Sequence, residues 1–256
     1  MSKRLTIDAA LTPSDVHKSL LDSICIVVDV LRASSTIVTL LAKGCPYVYT
    51  VETISDAKSL AQSQGLFLVG ERNGIPIEGF DFGNSPFELE EFAPEGKNAI
   101  LTTTNGTKAV ELVASAPAVL IGCFLNASAI CRKALELAGK YSTGIGIVCA
   151  GRKGGFVLDD AFCAGYLVEN LYLSAAEDHR EISLSDSALA ARKLYESYPD
   201  ILSAFEQSSS GQRLKEINCT KDLAVCSRID TVEVVPFLVE RSPCLFTDLF
   251  RKEGLI

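Results

Sequence analysis

A short apolar run that ends at an acidic residue constrains the fold of this chain more than any other feature. The run ICIVV at residues 24–28 is rich in β-branched side chains and leads directly to Asp29. Arg32 follows, and an apolar segment with helical spacing comes next. This order predicts a buried strand, an acid at its end, a loop, and a helix capped by Ser34 or Ser35. It is typical of a βα unit in an α/β protein.

The residues around this strand end predict an anion site. A serine cap would leave backbone N–H groups and the positive end of the helix dipole facing outward, where an anion binds well. Arg32 adds a cationic fork suited to phosphate or carboxylate oxygens. Asp29 has the wrong charge for an anion, so it would hold a metal ion or move a proton. A structural alternative is that Asp29 pairs with Arg32 and the serines only start a helix.

Similar side chains recur where other predicted strands end. Glu71 and Arg72 follow one apolar strand, and Arg152 follows another, with Asp159 and Asp160 farther along. Because ligands bind at the carboxyl edge of open α/β sheets, the repetition predicts one shared site. Ordinary turns and helix caps are the alternative for each of these segments. A second helix-start anion site and a long loop supply the remaining candidates: Thr104, Asn105, Gly106, Thr107, Asn84 and Ser85.

The order of predicted elements indicates an α/β fold of three αβα layers. Strand-length apolar runs alternate with helical segments, which favours a mostly parallel or mixed sheet. Helices dominate after about residue 174, including one predicted over 183–198, and the last strand is predicted at 231–236. The 256 residues are expected to form one domain, 1–256, with 125 or 174 as alternative boundaries between two lobes.

Composition excludes several function classes. The formal net charge is −8 and the basic residues are scattered, so neither nucleic acid nor a membrane is an expected partner. The N-terminus has no leader-like apolar run, and none of the nine cysteines forms a CxxC pair. We therefore expect a cytoplasmic protein whose cysteines are reduced and largely buried, those in apolar runs being Cys25, Cys123, Cys149 and Cys163.

Missing motifs narrow the chemistry further. Two histidines are too few for a histidine metal site or a catalytic triad, and no GxxxxGK[ST] motif is present. The spacing from Cys149 to Arg152 is too short for a Cys-x5-Arg phosphatase loop, and Asp29 lacks the second aspartate of the Asp-x-Asp phosphatases. Carboxylates, arginines, hydroxyls and backbone groups must therefore supply the chemistry.

Five motifs in this order resemble the 2-phosphosulfolactate phosphatase family. They are VDVLRASST at 28–36, GER at 70–72, GNSP at 83–86, TTNGT at 103–107, and CAGR at 149–152 with LDDA at 158–161. The resemblance implies a Mg²⁺-dependent acid phosphatase with an α/β fold. It implies hydrolysis of (R)-2-phospho-3-sulfolactate to 3-sulfolactate and phosphate, on the route to coenzyme M. A related phosphorylated hydroxy acid is an alternative substrate.

The residue patterns and the resemblance together define a site hypothesis. Asp29, Arg32 and Asp160 are the predicted catalytic residues, and Asp29, Glu71 and Asp160 the predicted Mg²⁺ ligands. The predicted partner is a small phosphorylated or sulfonated molecule, and a homo-oligomer is compatible with the sequence. A non-catalytic binding protein for such a metabolite is the main alternative. The predicted substrate-binding residues are Ser34, Ser35, Arg72, Asn84, Ser85, Thr104, Asn105, Gly106, Thr107 and Arg152.

Overall fold

Eleven strands form one sheet in the middle of the protein. The structure is a computed structural model and describes residues 4–254. The expected absence of a leader peptide rests partly on residues 1–3, which lie outside this range. In chain order the strands are β1 Leu5–Ala10, β2 Ile24–Val28, β3 Val48–Thr50, β4 Phe67–Arg72, β5 Ile75–Pro76, β6 Ala99–Thr102, β7 Ala118–Ile121, β8 Ile145–Cys149, β9 Ile182–Leu184, β10 Pro236–Arg241 and β11 Cys244–Asp248.

Helices alternate with the strands and then dominate the chain after β8. None of the helices within residues 4–254 has the length and apolar character needed to cross a membrane. The three-layer αβα prediction is confirmed. The α-helices are α1 Lys18–Leu21, α2 Ala33–Ala42, α3 Ile54–Gln64, α4 Gly106–Val113, α5 Ala127–Tyr141, α6 Leu158–Glu177, α7 Asp186–Glu196, α8 Ile201–Gln207, α9 Ser209–Glu216, α10 Lys221–Cys226 and α11 Leu249–Lys252.

The sheet is mixed, and its two parallel groups run in opposite directions. The strand order is β5-β4-β6-β3-β11-β10-β7-β2-β8-β1-β9. Strands β4, β6 and β3 are parallel to one another, as are β7, β2, β8, β1 and β9. The antiparallel hairpin of β10 and β11 pairs with both groups and reverses the direction between them. Strands from both sides of residues 125 and 174 therefore pair in one sheet, and the division into lobes stays a prediction.

The uninterrupted apolar run of β2 reflects burial on both faces of the sheet. Side chains alternate along a strand, so Ile24, Ile26 and Val28 join one core cluster whereas Cys25 and Val27 join the other. All five residues are buried. Most of the cysteines are buried as well: eight of the nine free thiols are buried, and Cys219 is partly exposed.

Three local predictions were wrong. The last strands are β10 and β11, and residues 231–235 precede them without regular structure. The segment predicted as one helix over 183–198 contains β9 and then α7, which Ser185 caps. Helix α2 begins at Ala33, so neither Ser34 nor Ser35 is its N-cap. Ser34 instead accepts from the Asp29 N–H at 2.8 Å, because a short polar side chain competes readily for nearby backbone groups.

Close packing of α6 on α7 yields a stability prediction. A Cβ added at Gly165 in α6 would lie 2.0 Å from the Ala191 carbonyl oxygen in α7. We expect Gly165→Ala to lower the free energy of unfolding by about 1–3 kcal/mol, as overpacking does. Urea denaturation monitored by circular dichroism would measure the change.

Gly139, near the end of α5, provides the matched control. A Cβ there would meet only Arg180 Nη1, at 4.0 Å. Because alanine favours helix over glycine, Gly139→Ala should raise the free energy of unfolding by up to about 1 kcal/mol. Equal effects of the two substitutions would contradict the close packing of α6 on α7.

Candidate active site

One cavity collects most of the charged residues that the sequence singled out. Its walls come from the loops after β2, β4, β6 and β8, from the first turn of α6, and from α9. Because the two parallel groups of strands run in opposite directions, these loops do not share one carboxyl edge. Loops from both groups nevertheless line this one cavity. The polar lining includes Asp29, Arg32, Glu71, Asn84, Thr104, Asn105, Arg152, Lys153, Asp159, Asp160, Ser210 and Arg213.

Asp29 lies at the start of α2 and partly fills the anion site predicted there. Its Oδ1 accepts from the Ala33 N–H at 3.4 Å. Burial raises the pKa of Asp29 to about 7; the Ala33 N–H opposes this rise, and the Glu71 and Asp159 charges add to it. Gly106, at the start of α4, makes room for this carboxyl group, because a Cβ there would lie 2.7 Å from Asp29 Oδ2.

Asp159 and Asp160 are adjacent in sequence but have different surroundings. Asp160 accepts from the Val30 N–H at 2.9 Å with Oδ1 and from the Gly151 N–H at 2.9 Å with Oδ2. Asp159 Oδ1 is buried and has no hydrogen-bond partner within residues 4–254. Burial raises the pKa of Asp159 to about 6, which the Ser210 and Ser208 hydroxyls moderate. Burial and the Asp159 and Asp29 charges raise the pKa of Asp160 well above its usual value.

Glu71 occupies the second predicted anion site. Its Oε1 accepts from the Thr104 N–H at 2.7 Å, and its Oε2 accepts from the Gly74 N–H at 2.5 Å. The N–H groups that the sequence assigned to a substrate anion are therefore bonded in part to the carboxylates of the protein itself.

Basic side chains line the same cavity. Arg213 donates to the Asn73 carbonyl oxygen at 3.2 Å and pairs with Glu216, whereas Arg152 Nη1 donates to the Ser209 carbonyl oxygen at a longer 3.4 Å. Lys153 is exposed, and its backbone N–H donates to Asn105 Oδ1 at 3.1 Å. The Lys153 ammonium group makes no hydrogen bond or ion pair with the other residues between 4 and 254. Arg152 and Lys153 are thus the cations least committed to protein partners.

Only four of the ten predicted substrate-binding residues line this cavity: Asn84, Thr104, Asn105 and Arg152. Arg72 is directed elsewhere, since its guanidinium donates to the Glu52 carbonyl oxygen and to Thr102 Oγ1. The hydroxyl of Ser35 donates to the Val30 carbonyl oxygen in its own loop, and that of Thr107 donates to the Thr103 carbonyl oxygen. The predicted residues outside the lining are Ser34, Ser35, Arg72, Ser85, Gly106 and Thr107.

Comparison with known proteins identifies the family. The profile of 2-phosphosulpholactate phosphatase matches residues 10–241. A protein of Clostridium acetobutylicum named "Probable 2-phosphosulfolactate phosphatase" is 35% identical over 235 residues, which cover 91% of this chain and 97% of the relative. A protein of Pseudothermotoga lettingae with the same name is 36% identical over 236 residues, covering 91% and 96%.

The chain belongs to the 2-phosphosulfolactate phosphatase family. All five motifs that carried the resemblance fall within the matched residues 10–241.

The site of this family member includes residues that sequence reasoning missed. Asp159, Lys153, Ser210 and Arg213 line the cavity but were not among the predicted catalytic, metal-binding or substrate-binding residues. The adjacent acids Asp159 and Asp160 were one available signal, because balancing the dipole of α6 needs only one of them. The segment SSSGQRL at 208–214 extends the family resemblance and was a second signal, but it follows β2 by about 180 residues, so the sequence did not show that Ser210 and Arg213 line the same cavity as Asp29.

The carboxylates of this phosphatase-family site differ in what they could offer a metal ion. Within residues 4–254, no group of three His, Cys, Asp or Glu side chains is arranged to hold a metal. The structure therefore does not assemble Asp29, Glu71 and Asp160 into a three-carboxylate site. Glu71 and Asp160 bond to backbone N–H groups, whereas Asp159 Oδ1 has no partner and Asp29 has one long contact. Asp29 and Asp159 thus have the freest oxygens.

The buried acids predict an unusual dependence of stability on pH. Because folding raises the pKa of Asp159 to about 6, the folded state binds more protons than the unfolded state between about pH 4 and 6. The wild-type free energy of unfolding should therefore fall as pH rises through this window. Asp159→Asn removes the charge, so we expect it to stabilise the protein by about 1–3 kcal/mol at pH 8 and by much less at pH 4.5.

Thermal and urea unfolding at both pH values, without added metal, would measure this difference. Glu95→Gln, which removes an exposed charge, is the matched control and should change stability little at either pH. A destabilised Asp159→Asn protein at pH 8 would show that Asp159 is well compensated in the fold.

Proposed function

We propose that this protein is a Mg²⁺-dependent phosphomonoester hydrolase that converts (R)-2-phospho-3-sulfolactate and water to 3-sulfolactate and phosphate. One observation carries the proposal beyond family membership. The half-buried carboxylate of Asp29 and the buried one of Asp159 line the same cavity as the basic side chains Arg152 and Lys153. A binding site for a polyanion needs the cations, whereas buried acids beside them hinder anion binding unless they take part in chemistry.

The basic residues would bind and orient the phosphate. Arg152 and Lys153 offer donors at the mouth of the cavity, and Asn84 and Asn105 offer amides within it. A substrate with phosphate, sulfonate and carboxylate groups needs several separate donors. Arg213 lies on the α9 side of the cavity and could bind a second anionic group there.

Asp29 is the residue we assign to the chemical step. Its pKa of about 7 lets the carboxyl group gain or lose a proton near neutral pH, as a group that activates water or protonates a leaving oxygen must. Nucleophilic attack by Asp29 and ligation of a metal are the other roles open to it.

Mg²⁺ fits the oxygens that remain available in this site. The ion commonly binds one or two carboxylates together with waters and phosphate oxygens, so three carboxylates are not required. Asp159 would hold it through its unpartnered Oδ1, and Asp29 would join it if ligation rather than proton transfer is its role, since these oxygens are the least committed to backbone groups. Bound Mg²⁺ would supply neutralisation of the charge on the phosphoryl group. The nine free thiols favour a cytoplasmic setting, where the product would enter the route to coenzyme M.

Phosphate release tests the reaction and the substrate together. We expect the purified protein to release phosphate from 2-phospho-3-sulfolactate with Mg²⁺ and to lose this activity in excess EDTA. Phospholactate and phosphoglycerate, which lack the sulfonate, should be poorer substrates. Equal phosphate release from all three substrates would support a phosphatase but exclude a preference for the sulfonate. Tight binding of these substrates without phosphate release would favour the non-catalytic binding protein.

Substitution of Asp29 tests its assignment. Asp29→Asn keeps the size of the side chain but removes its proton-transfer capacity and negative charge. We expect kcat to fall by roughly 10³-fold or more while the melting temperature is maintained or raised. Asp186→Asn, at an exposed position in the first turn of α7, is the control and should retain wild-type kcat. Near-normal activity of the Asp29→Asn protein would contradict the role of Asp29.

A further inference from the structure

A buried ion pair joins the cavity to the C-terminal helices. Arg32 Nη1 donates to Asp222 Oδ2 at 2.6 Å, and the two side chains are 4% and 1% exposed. Asp222 lies in α10, 190 residues from Arg32 in the chain. A buried carboxylate is costly to desolvate, so its partners indicate what it holds in place.

The second oxygen of Asp222 holds a different segment. Asp222 Oδ1 accepts from the Ser85 hydroxyl at 2.8 Å and from the Phe87 N–H at 3.0 Å. Both donors belong to the long loop between β5 and β6, directly after Asn84. One carboxylate therefore fixes the loop after β2 with one oxygen and the residue next to Asn84 with the other.

Both of the segments held in this way present a ligand-binding group to the cavity. Arg32 lines the cavity, and apart from its bonds to Asp222 and to the Gly74 carbonyl oxygen its guanidinium N–H groups have no acceptor within residues 4–254. Asn84 also lines the cavity and is 4% exposed. Its Oδ1 is buried and has no hydrogen-bond partner within residues 4–254. The unused Arg32 N–H groups and the Asn84 Nδ2, which has no acceptor within residues 4–254, can donate to an anion, whereas the unpaired Asn84 Oδ1 needs a donor such as a substrate hydroxyl or a water.

We propose that Asp222 is a positioning residue for the substrate anion, which it serves by fixing Arg32 and Asn84 in one geometry. Asp222 does not line the cavity and would not touch the substrate. The proposal rests on the proposed function and deepens it, because it assigns the C-terminal helical layer a part in substrate binding. In this proposal Arg32 binds the substrate anion with a guanidinium group that Asp222 holds in a fixed position.

Asp222→Asn separates the two tasks of the carboxylate. The amide oxygen can still accept from Ser85 and Phe87, whereas the charge that holds Arg32 is lost. We expect KM for 2-phospho-3-sulfolactate and Kd for inorganic phosphate, measured by calorimetry with Mg²⁺, to rise at least about tenfold. The fall in kcat should be smaller than the rise in KM.

The matched control breaks an ion pair that lies away from the cavity. Arg192 in α7 pairs with Glu169 in α6, and each is about one-fifth exposed. We expect Glu169→Gln to lower the melting temperature but to leave KM and the phosphate Kd within twofold of wild type. A folded Asp222→Asn protein with wild-type KM and phosphate Kd would overturn the proposal.

Two further results keep the test decisive. If Asp222→Asn does not fold, Ser85→Ala removes one donor to Asp222 and should weaken phosphate binding about threefold, and unchanged binding would overturn the positioning role. If the wild-type protein binds phosphate but releases none from any substrate, the proposed reaction fails. The phosphate Kd of the variants still decides the role of Asp222 in that case.

Discussion

The carboxylate of Asp160 connects the loop after β2 to the loop after β8, and the rest of the site depends on this connection. Its two oxygens accept from Val30 in the loop after β2 and from Gly151 in the loop after β8. The first turn of α6 is thereby fixed against both loops, with Asp159 near Asp29. Burial raises the pKa of all three acids, and the charges of neighbouring acids add to the rise at Asp29 and Asp160. The candidate active site thus maintains a charge arrangement that is unfavourable for stability.

Backbone N–H groups at the starts of helices can bind anions, but in this cavity they bond to carboxylates of the protein itself. Asp29 bonds at the start of α2, and Glu71 bonds to Thr104. The donors left for a ligand are therefore side chains, among which Arg152 and Lys153 are the least committed to protein partners, whereas Arg32 is held by Asp222. The cavity therefore combines carboxylates that are largely hydrogen-bonded to the protein with basic groups from the loop after β8 and from α9.

Sequence reasoning succeeded where the signal was local. Apolar runs of strand length predicted β2, β4, β6 and β8, because burial on both faces of a sheet requires continuous apolar segments. It could not say which of two neighbouring side chains faces the cavity. Glu71 and Arg72 are adjacent at the end of β4, yet only Glu71 lines the cavity. Successive side chains of a strand point to opposite faces, and Arg72 bonds to the Glu52 carbonyl oxygen and Thr102 Oγ1 instead.

The sequence by itself determined the α/β class, the family and the residue types available for chemistry, because these follow from periodicity and from motifs in order. Only the tertiary structure decided which hydrogen bonds each acid makes. Asp159 and Asp160 are neighbours in the chain, but successive residues of a helix point about 100° apart, so one bonds to two loops and the other keeps a free oxygen. The pairing of Arg32 with Asp222 was likewise decided in space, because contacts across 190 residues depend on how the whole chain packs.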